Sequence, residues 1–240
     1  MTAVLYSSSG GIATITLNRP ESRNALNLEM CEGLIECSSR IASSQDVKVV
    51  FVKGNGQAFC AGADLKERQG MNEVQVRARR MKAFEAYAAI EALPTPSIAV
   101  VEGPAVGSGC EIAAACDFIV ATPAASFRTP EALRGTVGAT QRLARVLGKR
   151  LAKDMMFTGR VLSAEEGAAA GLVARLVAAS DLEKILNEIK ETIVKAPSQS
   201  LRLAKRCIDK GVELDPKGAL ETEIAAIEEQ LASGSWMGKA

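Results

Sequence analysis

Short apolar, β-branched runs bounded by Gly, Pro or Asn stand at Ile12–Leu17, 47–52, Ser97–Val101 and Phe118–Ala121, with a weaker one at 172–177. Each reads as a strand. Between them the apolar spacing turns helical. Asn27 is placed to cap a helix that carries Met30, Leu34, Cys37 and Ile41 on one face, with Cys31 and Ile35 beside them. Asn72 opens a longer helix to about Ala92, which Pro94-Thr95-Pro96 stops before the next strand. Strands alternating with helices predict an α/β fold with parallel pairing.

From about Gly138 the pattern becomes helical. Ser163–Glu166 and Ser180–Glu183 have the spacing of capping boxes, and Gly171 is placed to end a helix. Helices are expected at 198–210 and Pro216–Ala232. The chain therefore divides near residue 180 into a strand-rich part, 1–180, and a helical part, 181–240. No low-complexity linker separates them, so the helical part is expected to pack on the core or on another subunit. No fixed-period sequence repeat is visible.

Composition narrows the function classes. The 240 residues carry 29 Lys plus Arg against 28 Asp plus Glu, a net charge of +1 that offers no broad footprint for nucleic acid or an anionic membrane. An apolar share of 48% suffices for a substantial core, which Ala, Val, Leu and Ile must build because only six Phe, two Tyr and one Trp are present. The chain contains no His, which excludes imidazole-dependent nucleophilic catalysis. Its six Cys include no C-x-x-C pair, so they read as reduced core thiols rather than a metal or redox site. No stretch of about 18 apolar residues and no basic or apolar leader is apparent, so a cytoplasmic protein without a membrane span is expected.

Two segments can carry chemistry. The first, Gln57-Ala-Phe-Cys-Ala-Gly-Ala-Asp-Leu-Lys66, follows a strand and the Gly54-Asn55-Gly56 turn. Ala61, Gly62 and Ala63 leave backbone amides and carbonyls uncovered, while Asp64 and Lys66 add an acceptor and a cation. A tight surface loop is the plainer reading of that composition. The second, Gly103-Pro-Ala-Val-Gly-Ser-Gly-Cys-Glu111, joins a strand to an Ala-rich helix. Amides at such a turn, aided by the helix dipole, can hold an anion or a polarised carbonyl. The segment lacks the Walker A ending and the Rossmann spacing, and structural glycine turns are common.

Glu111 falls in the first turn of a helix otherwise made of Ile, Ala and Cys, and Thr129-Pro130-Glu131 places a second acid at another helix start. Two carboxylates in apolar surroundings can divide acid and base roles, because burial and mutual repulsion separate their pKa values. Each can equally be a solvated acid that complements a helix dipole, and sequence spacing does not bring them together.

Taken together, these segments resemble the enoyl-CoA hydratase/isomerase family, the crotonase superfamily. The likeness runs from Ile12-Ala-Thr-Ile-Thr-Leu-Asn-Arg-Pro-Glu-Ser-Arg-Asn-Ala-Leu26 through Ala58–Leu65 and Gly103–Glu111 to Pro130-Glu131, Thr140-Gln-Arg-Leu143, Phe157-Thr-Gly159 and 166–172. It implies a crotonase-like spiral of repeated ββα units with a C-terminal helical region, in trimers that commonly pair into hexamers. The implied reaction, within fatty-acid metabolism, is reversible addition of water across the 2,3-double bond of a trans-2-enoyl-CoA. Coenzyme A is then part of the substrate, and no separate cofactor or metal is expected.

The resemblance also assigns roles. The amides of Ala63 and Ser108 match the oxyanion hole that grips the thioester carbonyl. Arg23, Ala25, Ala61, Gly62, Asp64, Leu65 and Lys66 fall where the family lines the CoA channel. Glu111 and Glu131 match the two acids of the hydratases, with Glu131 assigned chiefly to proton delivery at C2 and Glu111 to water activation.

This chain departs from the family pattern at several points. Ser108 stands where the family usually has Gly, and the stretch Gly135-Thr-Val-Gly-Ala-Thr-Gln141 is shorter than the usual Gly-rich loop beside the acyl pocket. Other reactions of the superfamily, namely isomerisation, hydration coupled to C–C cleavage and decarboxylation, therefore remain alternatives, as does a CoA-binding scaffold without turnover. Cys60 and Cys110 adjoin the proposed amide donors, but no His is present to activate either thiol. Trp236 is a candidate anchor on a neighbouring subunit or an exposed terminal aromatic.

Overall fold

The computed structural model describes residues 2–234. Trp236 lies outside them. The chain begins with an antiparallel hairpin of β1 (Val4–Ser9) and β2 (Ile12–Leu17), closed by the two-residue turn Gly10-Gly11 at φ 58° and 82°. A turn with both central residues at positive φ matches the twist of the strands it joins. The Ser7-Ser8-Ser9 stretch masks β1 in the apolar pattern, which is why only parallel pairing was expected.

The remaining strands of the main sheet pair in parallel: β3 (Val49–Gly54), β4 (Ser97–Val101), β6 (Phe118–Ala121) and β9 (Arg175–Leu176), in the order β1-β2-β3-β4-β6-β9. The strand expected at 47–52 begins two residues later. The weak run at 172–177 pairs only at Arg175 and Leu176, because Leu172 and Val173 turn back to the carbonyl of Gly167. A second, three-stranded sheet of β5 (Pro104–Val106), β7 (Ser126–Arg128) and β8 (Leu162–Ser163) is too short to leave an apolar period.

Both faces of the main sheet are covered, as a parallel sheet requires. Along β3, Val50 and Val52 point into the larger core with α1 (Leu28–Ala42), α2 (Glu73–Glu91) and α3 (Ser108–Ala115). Val49 and Phe51 point the other way, with Ile98, Val100 and Val120, against Leu182, Leu186 and Ile189 of α6 (Leu182–Lys195). The first helix after residue 180 thus lies on its own sheet. Two caps form as the sequence indicates: Asn27 accepts from the amide of Met30, and Asn72 with Gln75 closes a capping box.

The chain continues through α4 (Arg142–Thr158), broken at Gly148, and α5 (Ala164–Ala169), which opens with the Ser163–Glu166 capping box. The box expected at Ser180–Glu183 does not form. Ser180 is taken into a 3-10 turn at Ala179–Asp181, and α6 starts from Asp181 with no side-chain cap. The helices α7 (Ser198–Gly211) and α8 (Pro216–Ala232) close the described chain.

Candidate active site

The site forms where the loops after β3 and β4 meet. The loop after β3 is held from two sides. Cys60 bridges Ala105 of β5, and Ala63 bridges Leu26, whose amide donates to Gly62 and whose carbonyl accepts from Asp64. The same Leu26 carbonyl also accepts from buried Arg79 of α2, whose Nε pairs with Glu67. Gly109 permits the close approach of α3: a Cβ there would sit 2.3 Å from the Cys60 carbonyl oxygen. The start of α3 is thereby set against the Ala61–Ala63 loop. Among the described residues, neither the Ala63 nor the Ser108 amide donates to a protein acceptor.

A cavity of about 520 Å³ joins Ala63 and Ser108 to both acids singled out in the sequence, Glu111 and Glu131. Its size is that of a small-molecule site. Ala61, Gly62 and Leu65 also line it, whereas Arg23, Ala25, Asp64 and Lys66 do not. Arg23 acts through its carbonyl, which accepts from the Ala61 amide, and Asp64 is committed to Arg19 at 2.9 Å and to the amides of Lys66 and Glu67. Burial alone would raise the Asp64 carboxyl, but these bonds outweigh it and hold the group below its ordinary range. Arg19 in turn donates to the carbonyl of Ala25, so the pair braces the loops that face the cavity.

The two acids have different surroundings. Glu111 is buried in the first turn of α3, and its Oε2 accepts from Arg142 at 2.7 Å. Arg142 also pairs with Glu91 and lies 5.8 Å from the centre of the Tyr87 ring. Glu131 stands at the start of a 3-10 turn, Ala132–Arg134, in place of the α-helix start expected from Thr129-Pro130-Glu131. Its Oε2 is buried and meets no hydrogen-bond partner among the described residues. Burial pushes its carboxyl up; its own amide opposes the shift and the charge of Glu111 adds to it. The two carboxyls thus share one cavity in unlike surroundings, Glu111 ion-paired to Arg142 and Glu131 with a buried oxygen that meets no partner among the described residues.

Several residues that face this space were not visible as functional in the sequence. Tyr87, Phe84 and Arg80 come from α2, Arg68 from the loop before it, and Arg142 from α4. The Asn72 cap and the Pro94-Thr95-Pro96 stop located α2 but not which of its turns reach the cavity. Tyr87 is buried, and its phenol is pushed up by burial, partly offset by a hydrogen bond with the Ser108 side chain. The thiols of Cys60 and Cys110 are also buried. Burial raises Cys60 to about 12 and moves Cys110 further in the same direction, so neither supplies a thiolate. Among the described residues there is no cluster of His, Cys, Asp or Glu arranged to hold a metal ion, and no helix is long and apolar enough to cross a membrane.

This sheet-and-helix fold and this cavity define a class. The profile of the enoyl-CoA hydratase/isomerase family matches residues 7–236, and the chain belongs to that family. A short-chain-enoyl-CoA hydratase of Clostridium acetobutylicum is 35% identical over 230 residues, covering 94% of this chain and 88% of the relative. The crystal structure of an enoyl-CoA hydratase from Bacillus anthracis superposes with a TM-score of 0.90 at 37% identity, covering 94% of this chain and 90% of that one. A putative enoyl-CoA hydratase from Thermobifida fusca, solved in complex with acetoacetyl-CoA, superposes with a TM-score of 0.88 at 25% identity over 97% and 96% of the two chains. The fold is that of the crotonase superfamily.

Proposed function

We propose that this protein is an enoyl-CoA hydratase that adds water reversibly across the 2,3-double bond of a trans-2-enoyl-CoA. One observation carries the reading: a single cavity presents two unengaged amides and two glutamates in unlike surroundings. Attack of water at C3 pushes negative charge onto the thioester oxygen, and the Ala63 and Ser108 N–H groups are placed to receive it. Each donor of this kind is worth about 10²–10³ in rate.

Glu111 takes a proton from water as its oxygen bonds to C3. Its Oε2 is fixed by Arg142, which supplies the counter-charge, and Oε1 is left for the water. Glu131, whose carboxyl burial pushes up from its ordinary value, gives its proton to C2. The product gains one hydroxyl at C3 and one hydrogen at C2, and proton exchange with solvent restores the two acids. Ala61, Gly62 and Leu65 at the cavity wall, with Arg23, Ala25, Asp64 and Lys66 behind or beside them, make the approach for the CoA portion. The substrate carries the CoA, and no further cofactor takes part.

We also assign residues 181–240 a role in trimer contact. Ile208 of α7, Val212 just after it, and Leu220, Ile224, Ile227 and Leu231 of α8 leave apolar side chains exposed, as a subunit contact would use. Light scattering should give the mass of a trimer or a multiple of it; a monomer contradicts this assignment. For the reaction, crotonyl-CoA should lose its conjugated enoyl-thioester absorbance and gain the mass of one water. Unchanged crotonyl-CoA in the presence of bound protein contradicts the hydratase reading.

A further inference from the structure

The cavity has a charge pattern that hydration of a plain acyl chain does not require. Three arginines, Arg68, Arg80 and Arg134, line it alongside only two acids. Glu111 is already matched by Arg142, and burial raises the Glu131 carboxyl although the charges of Arg134 and Arg80 oppose that shift, so one acid faces three arginines. Arg68, Arg80 and Arg134 form no ion pair among the described residues. The Nε of Arg68 is buried without a hydrogen-bond partner among the described residues. Burial and the neighbouring charges of Arg80 and Arg79 both disfavour a proton on that guanidinium, a condition that an incoming anion relieves.

Ala61, Gly62 and Leu65 of the CoA approach line the same cavity, but no residue of that approach lines the recess that adjoins it. Arg80 donates to Thr136 Oγ1 at 2.9 Å and to the Val137 carbonyl, so it ties α2 to the shortened loop after Glu131. With Phe84 it also borders the adjoining recess beyond Glu111. Lys66 and Arg23, the cations of the CoA approach, lie outside this cavity. Arg80 therefore borders the recess beside Glu111, away from the residues of the CoA approach and open to the distal end of an acyl group, and Arg68 is its charged neighbour.

Resting on the hydratase reading for the orientation of the thioester, we infer that the preferred substrate is an enoyl-CoA whose acyl chain ends in a second, free carboxylate, received by Arg68 and Arg80. A guanidinium can meet a carboxylate with two parallel N–H···O bonds, which a methyl terminus cannot return. The buried Arg68 Nε supplies one donor with no competing acceptor among the described residues.

Titration calorimetry at physiological ionic strength tests this without turnover. Glutaryl-CoA, pentanoyl-CoA and free CoA are compared on the native protein and on Arg68→Met. The native protein should bind glutaryl-CoA about tenfold or more tightly than pentanoyl-CoA, and Arg68→Met should bring that ratio close to one. Equal affinity of the native protein for the two esters overturns the inference, whatever the variant does. So does a variant that weakens free CoA and both esters by the same factor, because the arginine then serves the phosphates of CoA. Because binding is read directly, a preference for glutaryl-CoA stands even if crotonyl-CoA is not hydrated, and the two failures are told apart.

Discussion

Gly107 and Glu131 are in contact in a way that only glycine allows. A Cβ on Gly107 would lie 2.1 Å from Glu131 Oε1, and Gly107 itself has φ 51° and ψ −107°, a conformation that side chains disfavour. The missing side chain is what leaves room for the carboxyl beside the first turn of α3. Gly107→Ala must displace Glu131 or distort the turn. Turnover of crotonyl-CoA should fall by about 10² or more, the range for a lost acid or base, with a stability loss of roughly 1–3 kcal/mol from the strained backbone. Steady-state rates and urea denaturation measure the two effects separately, and wild-type turnover in a folded variant contradicts the contact.

Arg142 holds Glu111 and Glu91 with the two ends of one guanidinium. Arg142→Met leaves the buried Glu111 without its partner. The expected cost is roughly 3 kcal/mol of stability, as for breaking a buried pair, together with a drop in kcat larger than any change in KM. Arg142→Lys should recover part of the stability but less of the rate, since an ammonium does not reproduce the two-ended geometry. Equal rates for both variants and the wild type contradict an orienting role.

Glu131 makes a pH prediction with a definite sign. Its carboxyl is raised in the folded state, chiefly by burial, so the native protein holds the proton more tightly than the unfolded chain. Below the ordinary glutamate range the group is neutral in both states and costs nothing. As pH rises through the raised value, the buried charge appears and stability is lost. Glu131→Gln removes that loss, so its melting temperature should exceed the wild type's near pH 7.5 and approach it near pH 4. A gain that is larger at the acid end contradicts the assignment.

The cysteines offer a chemical check. Cys60 and Cys110 are buried with raised pKa values, whereas Cys207 is half-buried on α7. Iodoacetamide should label Cys207 in the native protein and reach Cys60 and Cys110 only after unfolding, with turnover retained after native labelling. Rapid native modification of Cys60 with loss of activity contradicts the inert reading.

Much of this arrangement was legible in the sequence because local signals agreed with global packing. β2, β4 and β6 show the apolar runs of strands buried on a sheet, and Asn27 and Asn72 cap helices whose buried stripes follow helical spacing. Elements of two or three residues, such as β5, β7 and β8, left no period to read. Ser180 had the spacing of a cap but was drawn into a 3-10 turn. At the site, Glu111 and Glu131 stood out as acids in apolar surroundings, yet only the tertiary fold places them on one cavity. Arg68, Arg80 and Arg142 looked like ordinary charges on or beside helices, because nothing local records that their guanidinium groups turn inward.

The central claim is that Glu111 and Glu131 together hydrate an enoyl thioester held by the Ala63 and Ser108 amides. The most direct test follows enoyl-thioester absorbance and product mass with crotonyl-CoA for the wild type, Glu111→Gln and Glu131→Gln, with acetoacetyl-CoA binding measured in parallel. The wild type should yield a product heavier by one water, and each variant should lose about 10² or more in kcat while still binding acetoacetyl-CoA. Near-wild-type hydration by both variants contradicts the two-carboxylate account.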